Sequence, residues 1–534
     1  MRVGKKLGKG PNITLTLASA ASLLSQHNLL REVVHGDVWQ LDASGIDGAD
    51  TPFEKLTYDT REIAPGTLLV CKGRFKPEFL DGTGVKGLAA YVAETDLSEH
   101  TNRPGLIVND ARKALSLLAA EFYDHPEREL TLVGITGTKG KTTTAYFTQA
   151  ILNAYSGGRC ALFSSVDNCL DGHTYAESDL TTPESFDALR MMREAVDNGM
   201  TYLVMEVSSQ AYKVQRVYGF TFDVGAFLNI TPDHISPIEH PTLEDYLYCK
   251  RQLIANCRRL VLGSGCKHIN LLREDAAAHN LPVSEFSVFD DLEDHYGSEH
   301  LKNLPATCAW PVDYTHRAYH LHVDGVDLGK YTLDLDGDFN YWNALAAVAI
   351  AHAAGVPTDS EAMHAMEHTK VPGRMMQYYD EGTNTVVIVD YAHNYDSVVK
   401  LLDYVDVRYG EENPGITLVT GSAGNKALDR REGIVQAAQD RIMRFVFTAE
   451  DTDTEPYEDI CRDMANCITN DRVKSSTIID RTKAIESAVE KARSDADRLD
   501  VVLIIGKGHE RWIKDLNKHV PYEGDDCVVE RLLR

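Results

Sequence analysis

A glycine-rich loop, GITGTKGKTTT at residues 134–144, has the residue types of a phosphate-binding site. The apolar run before it predicts a strand, and Lys141 and Thr142 stand where a helix is expected to begin. Free backbone N–H groups and the helix dipole favour an anion at such a helix start. Lys141 would neutralise nucleotide phosphates, and the Thr142 hydroxyl would bind Mg²⁺. Because Ile135 replaces the first glycine of the usual P-loop pattern, the alternative is a plain glycine-rich turn.

Metal ligands are expected on strands near a phosphate loop, and two further apolar runs end in suitable side chains. YLVMEVSSQ places Glu206 at the end of a strand, where an isolated carboxylate is costly unless it binds a cation. FLNITPDHIS places Asn229, Asp233 and His234 at the end of another. A single histidine after a strand is usually structural, but its position one strand beyond Glu206 favours a metal ligand.

Three series of elements would position these side chains. Short β-prone runs separated by Gly, Pro and Asp predict a small mixed α/β domain near the N-terminus. From the amphipathic helix DARKALSLLAAEFY onward, alternating helices and buried strands predict a mostly parallel, doubly wound sheet. After Val371-Pro372-Gly373, a second alternating series predicts another parallel sheet, of Rossmann type, with ligands at its strand carboxyl ends. We therefore expect an α/β protein with domains at residues 1–110, 111–371 and 372–534.

Composition restricts the class of protein. A chain of 534 residues is long enough for about three domains. Eighty acidic residues against 54 basic ones give a net charge of −26, which disfavours nucleic acid or an anionic membrane as the main partner. Ten cysteines without a C-x-x-C pair favour a reducing cytoplasm. No apolar run is long enough to span a bilayer, and polar residues interrupt the basic N-terminus, which favours a tail and a capped helix over a signal peptide.

A series of segments resembles the Mur ligases, and the order of the segments is also that of the family. They are TGTKGKTTT, LTTPES, MEVSSQAYKVQRV, LNITPDH, EDYLYCKRQL, DFNYWNALAA, VPGRM, VDYAHNYDS and GKGHE. The resemblance extends from about residue 55 to the end. It is closest to the MurE type, which adds the third amino acid to UDP-N-acetylmuramoyl-L-alanyl-D-glutamate (UDP-MurNAc-L-Ala-D-Glu) in peptidoglycan synthesis.

This resemblance implies the reaction and its participants. ATP would phosphorylate the D-glutamyl carboxylate, and the amino group of an L-diamino acid would attack the acyl phosphate. Two Mg²⁺ ions would offset the charge of the anionic partners. The N-terminal domain would bind the UDP-muramoyl substrate, the central domain ATP and the C-terminal domain the amino acid. We expect a cytoplasmic monomer that acts on small molecules, without nucleic acid and without membrane insertion.

The resemblance also implies roles for single residues. The catalytic residues would be Lys141, Glu206, His234 and Lys250. Thr142 and Glu206 would bind one metal ion. His234 and Lys250 would bind the other, and the lysine at this position is carbamylated (N6-carboxylysine) in this family. Contacts to ATP are expected from Gly137, Thr138, Lys139, Gly140, Lys141, Thr142, Thr143, Asn229, Asn340, Asn343, Arg374, Asp390 and His393. Asn is commoner than Lys139 at its position, so this extra cation either touches phosphate or is solvated.

Several of these residues have a chemical rationale of their own. The amides of Asn340 and Asn343, at helical i, i+3 spacing, can face one base edge. Arg374 stands at the junction of two domains, where its guanidinium can reach phosphate on closure. His393 is followed by Asn394-Tyr395-Asp396 in place of the family's Thr-Pro-Asp, so the local turn is expected to differ.

The remaining assignments concern the other two substrates. The UDP-muramoyl dipeptide matches Thr60, Arg61, Thr181, Thr182, Ser208 and Arg216, and the amino acid matches Arg431, Asp451, Asp453, Gly506 and Glu510. MurE ligases specific for meso-diaminopimelate carry Asp-Asn-Pro-Arg where this chain has Glu450 to Asp453. An aspartate in place of that arginine repels a carboxylate and attracts an ammonium. We therefore expect L-lysine or L-ornithine, which differ by one methylene worth only about 1–3 kcal/mol.

Several alternatives remain. A MurE ligase that adds meso-diaminopimelate would contradict the aspartate argument. A folylpolyglutamate synthetase shares the domain plan and the ATP chemistry, but the EVSSQAYKVQRV and GKGHE segments fit it less well. A homologue that partners an amidotransferase would carry a zinc ribbon, and this chain lacks paired cysteines. A non-catalytic nucleotide-binding module would lose metal ligands, whereas Glu206, His234 and Lys250 are present.

Overall fold

Three large sheets and one hairpin form the scaffold of the computed structural model. The structure describes residues 15–82, 86–233, 235–236, 239–288, 307–313, 318–323, 326–425, 428–494, 497–516 and 518–534. Short 3₁₀ helices in these ranges span Thr60–Glu62, Pro77–Leu80, Pro126–Arg128, Glu361–Met366 and Gly410–Glu412. No described helix combines the length and the apolar character needed to cross a bilayer.

The first sheet contains the N-terminal strands. They are β1 (Leu30–His35), β2 (Val38–Gln40), β3 (Lys55–Thr57), β4 (Thr67–Val70), β5 (Leu88–Ala93) and β6 (Gly105–Val108), in the order β2-β1-β6-β5-β4-β3. Strand β1 is antiparallel to both of its neighbours, and the others run parallel. Helices α1 (Leu17–Gln26) and α2 (Ala111–Phe122) pack against this sheet. The side chains of Thr16 and Asp110 cap them, so both helices begin where the sequence predicted.

The second sheet has eleven described strands. They are β7 (Thr131–Thr136), β8 (Cys160–Phe163), β9 (Asp167–Cys169), β10 (Tyr175–Glu177), β11 (Tyr202–Glu206), β12 (Val224–Phe227), β13 (Leu260–Gly263), β14 (Val283–Val288), β15 (Thr307–Asp313), β16 (Ala318–Val323) and β17 (Val326–Thr332). Their order is β10-β9-β8-β11-β7-β12-β13-β14-β15-β16-β17, with β8, β11, β7 and β12 to β15 parallel.

Helices cover both faces of this central sheet, which explains why its inner strands β7, β8, β11, β12 and β13 are almost continuously apolar. They are α3 (Lys141–Ser156), α4 (Ser185–Asp197), α5 (Ser209–Lys213), α6 (Leu243–Ala255), α7 (Ile269–Ala278) and α8 (Phe339–Ala353). The alanine-rich α8 packs against α3, because small side chains let two helices approach closely. This contact brings α8 beside the phosphate loop at the start of α3.

The third sheet contains the C-terminal strands. They are β18 (Met376–Asp380), β19 (Thr385–Asp390), β20 (Gly415–Thr420), β21 (Arg444–Phe447), β22 (Lys474–Thr477) and β23 (Asp500–Ile505), in the order β18-β19-β23-β20-β21-β22. Only β18 is antiparallel to its neighbour. The helices are α9 (Tyr395–Tyr409), α10 (Asp429–Ala438), α11 (Tyr457–Asn466), α12 (Arg481–Arg493) and α13 (Asp525–Leu533), and the hairpin is β24 (Trp512–Asp515) and β25 (Lys518–Pro521).

The predicted fold class is confirmed, including the mixed first sheet and two mostly parallel ones. Strand β22 and helix α12 were not predicted. The exposed pattern of β22 explains this omission, because an edge strand of polar residues carries no apolar periodicity. The domain divisions after residues 110 and 371 stay predictions.

Candidate active site

Sheet order brings the predicted site residues to one edge of each sheet. In the central sheet β7 lies between β11 and β12, so the segments that follow these three parallel strands meet at their carboxyl ends. In the C-terminal sheet β23 lies between β19 and β20 in the same way. Ligands of open parallel sheets bind at such ends. Side-chain contacts between the central and C-terminal regions show that the two edges face each other.

The phosphate loop joins β7 to α3 and is held from the side by Asn229. The Asn229 Oδ1 accepts the backbone N–H groups of Thr138 (3.1 Å) and Lys139 (2.9 Å), and its Nδ2 donates to the Lys139 carbonyl (3.0 Å). Gly140, with φ of 83°, is the residue just before α3. A Cβ there would collide with Asn343 Oδ1 of α8. This position therefore requires glycine on two counts, backbone conformation and space.

Two lysine side chains crowd this loop, the half-buried Lys141 and the buried Lys250. Lys141 Nζ donates to the carbonyl oxygens of Gly137 (3.0 Å) and Thr138 (3.2 Å), and Lys250 Nζ, from α6, donates to Gly137 O (2.8 Å). Burial lowers the pKa of Lys141, and it lowers the pKa of Lys250 well below its ordinary value. Desolvation disfavours the charged amine in each case. An anionic ligand in contact with the loop would relieve this cost.

An all-oxygen cluster lies beside the loop. Glu206, at the end of β11, is 1% exposed and accepts the Ser165 N–H (2.8 Å) and Ser165 Oγ–H (3.2 Å) at Oε1. The Ser165 hydroxyl also lies 2.9 Å from Thr142 Oγ1. Carboxylate and hydroxyl oxygens are the donors Mg²⁺ prefers, so this set fits the predicted first metal. His234, predicted for the second metal, lies outside the described residues.

Asp233 joins the loop to the C-terminal sheet. Its buried carboxylate contacts Lys139 Nζ (3.3 Å), Asn394 Nδ2 (3.1 Å) and Arg430 Nη2 (2.8 Å). Lys139 thus pairs with Asp233, while its side chain stays 29% exposed. Burial lowers the pKa of Lys139 to about 8, against the opposing effect of Asp233. Sequence reasoning placed Asp233 near the site but missed its arginine partner.

The other residues predicted to contact ATP lie around the same edge. Asn343 Nδ2 donates to Asn340 Oδ1 (3.0 Å), so the two amides bond each other as well as lining the loop. Arg374 Nη2 lies 3.4 Å from Thr142 Oγ1, and its guanidinium stacks over the Tyr391 ring at 4.6 Å. The arginine therefore reaches the loop from the domain junction, where the sequence placed it.

Asp390, the last residue of β19, and His393, which follows the strand, shape that junction. Asp390 accepts the N–H groups of Met375 (2.9 Å) and Ala392 (2.8 Å), and burial raises its pKa. His393 Nδ1 lies 2.7 Å from the Tyr391 carbonyl, and burial lowers its pKa well below the usual value. His393 is therefore neutral at pH 7. Among the other loop residues, the Gly137 carbonyl accepts from both lysines. Thr143 lies in the first turn of α3.

Most residues assigned to the muramoyl peptide meet beside Glu206. Thr182 Oγ1 donates to the Glu206 carbonyl (2.8 Å) and accepts the Ser208 N–H (3.0 Å). Arg216 donates to Glu184 Oε1 (2.9 Å) and to the Thr182 carbonyl (3.3 Å), while Thr181 precedes this group and is half-buried. Glu184 also pairs with Lys72 of the N-terminal region at 2.7 Å, so this contact joins two sheets.

Thr60 and Arg61 stand apart from that group. They lie in a 3₁₀ turn, and the exposed Arg61 bonds Asp59 of the same turn. The neighbouring Tyr58 does reach the central region, because its hydroxyl donates to Asp187 Oδ2 (2.7 Å). A cavity of about 540 Å³ opens between Tyr58 and α4 and is lined by several acidic residues, which suits a phosphate poorly.

At the carboxyl edge of the C-terminal sheet, carboxylates gather around Lys507. Asp451 Oδ1 contacts Lys507 Nζ at 3.0 Å, Glu510 forms an ion pair with the same ammonium, and Tyr391 donates to Glu510 Oε1 at 2.7 Å. The Lys507 ammonium also lies 4.3 Å from the centre of the Trp512 ring. Asp451 and Glu510 are therefore brought together, as the sequence predicted, but through a lysine that it did not include.

Glu450 is a further acidic residue at this edge. It is 9% exposed, and burial raises its pKa to about 7. Its carboxylate packs on Gly506, where an added Cβ would collide with it. Arg431 is directed elsewhere, to Glu455 (2.6 Å) and Asp463 (2.7 Å).

Asp453 is half-buried with φ of 56°, and its carboxylate lies 3.5 Å from Asn425 Nδ2. The described contacts thus join neither Asp453 nor Arg431 to Asp451 and Glu510. Ser165, Glu450 and Lys507 all follow strand ends, a signal that the sequence offers. Arg430 offers no such signal.

Known proteins match this chain over nearly its whole length. A family model described as the Mur ligase middle domain matches residues 135–351, and one described as the Mur ligase, glutamate ligase domain matches residues 373–508. A UDP-N-acetylmuramyl-tripeptide synthetase of Bifidobacterium longum is 63% identical over 521 residues, which cover 97% of this chain and 99% of that protein. The chain belongs to the Mur ligase family. It is therefore an ATP-dependent ligase of the MurE type.

Two further proteins are similar to this Mur ligase. A UDP-N-acetylmuramoyl-L-alanyl-D-glutamate–L-lysine ligase of Enterococcus faecalis is 40% identical over 529 residues, covering 98% of this chain and 99% of that one. A solved structure of a UDP-N-acetylmuramoyl-L-alanyl-D-glutamate–2,6-diaminopimelate ligase superposes with a TM-score of 0.61 at 20% identity, over 97% of this chain and 99% of that chain. This second likeness shows the shared fold alone.

Proposed function

We propose that this Mur ligase adds L-lysine, or L-ornithine, to UDP-MurNAc-L-Ala-D-Glu with conversion of ATP to ADP and phosphate. The γ-phosphoryl group of ATP passes to the D-glutamyl carboxylate and forms an acyl phosphate. The acceptor amine attacks this carbonyl, an amide bond forms and phosphate leaves. The first step is needed because a free carboxylate is a poor electrophile. A cytoplasmic monomer remains part of the proposal.

The observation that carries the proposal is the meeting of opposite charges across the two facing edges. The Lys141 ammonium and the Arg374 guanidinium lie on the central side, where phosphates are expected. Asp451, Glu510 and Glu450 lie on the C-terminal side, where the acceptor is expected. An anionic donor and a cationic acceptor suit these two surfaces respectively.

The oxygen cluster supports magnesium-dependent phosphoryl transfer. Thr142 and Glu206, with Ser165 between them, would hold one Mg²⁺, and His234 with a modified Lys250 would hold the second. Bound Mg²⁺ neutralises charge on the phosphates and the carboxylate. Lys141 would bind phosphate oxygens on the same side, and Arg374 would approach them from the junction.

Carbamylation of Lys250 has a chemical basis in its surroundings. Only a neutral amine attacks carbon dioxide, and burial lowers the pKa of Lys250 well below its ordinary value. The product is a carboxylate, which would suit a metal better than the amine would. The mass of the intact protein, measured with and without bicarbonate, tests for the added group, and Lys250→Arg serves as the unmodifiable control.

The acceptor preference rests on the acidic surface and on the absence of an arginine at position 453. The relative from Enterococcus faecalis that is named as an L-lysine ligase supports the same choice. A meso-diaminopimelate acceptor would bring a second carboxylate next to Asp451 and Glu510, and like charges at close range cost several kcal/mol. We therefore expect the diacid to be the poorer substrate.

The deciding experiment measures ligation directly. The purified protein is given ATP, Mg²⁺ and UDP-MurNAc-L-Ala-D-Glu with L-lysine, L-ornithine or meso-diaminopimelate, and product mass and ADP release are followed. We expect kcat/KM for one of the two amines to exceed that for the diacid by about a hundredfold or more, as for a buried charge mismatch of several kcal/mol. A preference for diaminopimelate would refute the acceptor assignment, and ADP release independent of the UDP substrate would refute the ligase mechanism.

A further inference from the structure

Asp233 is the point where the phosphate loop and the C-terminal sheet share one carboxylate. Its Oδ2 accepts from Lys139 of the loop (3.3 Å) and from Asn394 Nδ2 (3.1 Å), the residue that caps α9. Its Oδ1 accepts from Nε (3.2 Å) and Nη2 (2.8 Å) of Arg430, in the first turn of α10. Both oxygens are therefore used, and helices α9 and α10 each contribute a donor.

Because an unpaired, buried Asp233 is costly, this contact depends on how the C-terminal edge is placed relative to the loop. Asp233 is 3% exposed and the Arg430 side chain 12%, so water replaces little of a lost partner. A buried carboxylate is tolerated only while it is paired, and removal of one partner is strongly unfavourable. Arg430 and Asn394 can pair with Asp233 only when the C-terminal edge faces the loop. The contact therefore favours that facing arrangement.

The loop itself does not need Asp233 for its shape. Asn229 holds the backbone at Thr138 and Lys139, and Lys141 and Lys250 bond the carbonyls of the same loop. Nucleotide binding and domain coupling thus fall to different side chains. This separation makes the two roles distinguishable by experiment.

A second chain of contacts leads from Asp233 to the acceptor side. Asn394 closely follows Tyr391, whose hydroxyl bonds Glu510 and whose ring lies under Arg374. Displacement of Asn394 would therefore move the side chain that orients Glu510. Arg430 is the neighbour of Arg431 on α10, at the same sheet edge.

We propose that Asp233 is a positioning residue that couples the phosphate loop to the acceptor side of the site through Arg430 and Asn394. It fixes the arrangement in which the C-terminal carboxylates face the phosphates, and it acts through these partners without contacting the reacting atoms. The effect on turnover rests on the proposed function, whereas the effect on domain arrangement does not.

The test uses the full chain and cuts the link from the C-terminal side. Arg430→Gln removes the cation, Asp233→Asn removes the anion, and the double variant removes both. Arg441→Gln is the matched control, because Arg441 pairs with Asp403 (2.8 Å) and Asp406 (2.5 Å) within the C-terminal region. Three quantities are measured for each protein: the dissociation constant of ADP, the kcat and acceptor KM, and the X-ray scattering curve with and without a non-hydrolysable ATP analogue.

We expect Arg430→Gln to lower kcat/KM for the acceptor by about tenfold to a hundredfold, while ADP affinity stays within about twofold of the parent. Its scattering curve should report a larger radius of gyration than that of the parent with the analogue bound. Arg430→Lys should recover part of the loss, because it keeps the charge without the second donor. The kcat/KM of the double variant should be no lower than that of the more impaired single variant, since the two substitutions remove the same interaction.

Three results would overturn the proposal. One is an unchanged acceptor kcat/KM and scattering curve in Arg430→Gln, and another is a matching loss in Arg441→Gln. The third is a double variant whose loss equals the product of the two single losses, because independent residues behave in that way. If the parent chain ligates none of the acceptors, the proposed function fails, while the scattering and ADP measurements still decide the coupling.

Discussion

Arg481 holds the ends of two strands beneath the acceptor side, and its replacement should both destabilise the C-terminal domain and impair acceptor binding. Its guanidinium pairs with Asp525 through Nε (2.7 Å) and Nη2 (2.8 Å), with both side chains at most 1% exposed. It also donates to the carbonyls of Ala449 (3.1 Å) and Ile505 (2.7 Å). These carbonyls immediately precede Glu450 and Gly506.

The magnitude follows from the burial of the pair. Arg481→Met fills similar space but leaves Asp525 without its cation and two carbonyls without their donor. Breaking a fully buried pair from one side costs about 3–5 kcal/mol. For a domain of roughly 150–250 residues, 1 kcal/mol lowers Tm by about 2–4 °C. The affected transition should therefore fall by roughly 6–20 °C.

Differential scanning calorimetry of the full chain measures the shift, and acceptor KM measured well below the transition reports the functional effect. We expect a raised acceptor KM with an unchanged ADP dissociation constant, because the phosphate loop belongs to the other sheet. Arg481→Met/Asp525→Leu is the matched variant. It removes both charges and should regain at least half of the lost stability, since an apolar pair of similar volume replaces a buried ion pair at little cost.

The reasoning is refuted if Arg481→Met melts within about 2 °C of the parent chain, which corresponds to less than about 1 kcal/mol. It is also refuted if the double variant is less stable than Arg481→Met. Either result would mean that water or relaxation supports Asp525 without its arginine.

Three further predictions concern the site. Lys141→Met should lower the ligation rate by about 10²–10³, the usual cost of losing one group that stabilises transition-state charge, as measured by ADP release. Gly140→Ala should weaken ADP binding by about tenfold or more, because the left-handed backbone at φ 83° and the collision with Asn343 each oppose a Cβ. Burial raises the pKa of Glu450 from 4.5 to about 7, so Glu450 contributes stability that is fully present below about pH 4.5 and lost as the pH rises through about 7. Relative to the parent, Glu450→Gln should gain up to about 3 kcal/mol between about pH 5 and pH 8 in unfolding experiments.

Controls separate these effects from general damage. Lys267→Met, at an exposed position, should leave ADP release unchanged, and a similar loss there would contradict the role of Lys141. Gly157→Ala, at the end of α3 with open space around it, tests the cost of a left-handed backbone alone and should leave ADP binding intact. A Glu450→Gln profile parallel to that of the parent would contradict the raised pKa of Glu450.

Local patterns in the sequence were sufficient for many of the elements and for the strand-end residues. A glycine loop between an apolar strand and a helix places Lys141 and Thr142 by covalent spacing alone, and the same holds for Glu206 and Asn229 after their strands. Parallel strands then bring these residues together, because their carboxyl ends share one edge. The polar edge strand β22 escaped prediction, since it lacks the apolar period on which such predictions depend.

Partners across the domain junction were decided by tertiary structure. The sequence left Lys139 between phosphate and solvent, and the fold gives it Asp233, together with Arg430 and Asn394 from the opposite sheet. The sequence argument depended on Asp453. In the structure the acidic residues that gather at this edge are the buried Glu450 and the ion-paired Asp451 and Glu510. The sequence determines the type and spacing of the charged residues. Their desolvation and pairing depend on which distant segments meet, and only the packing of the sheets determines that.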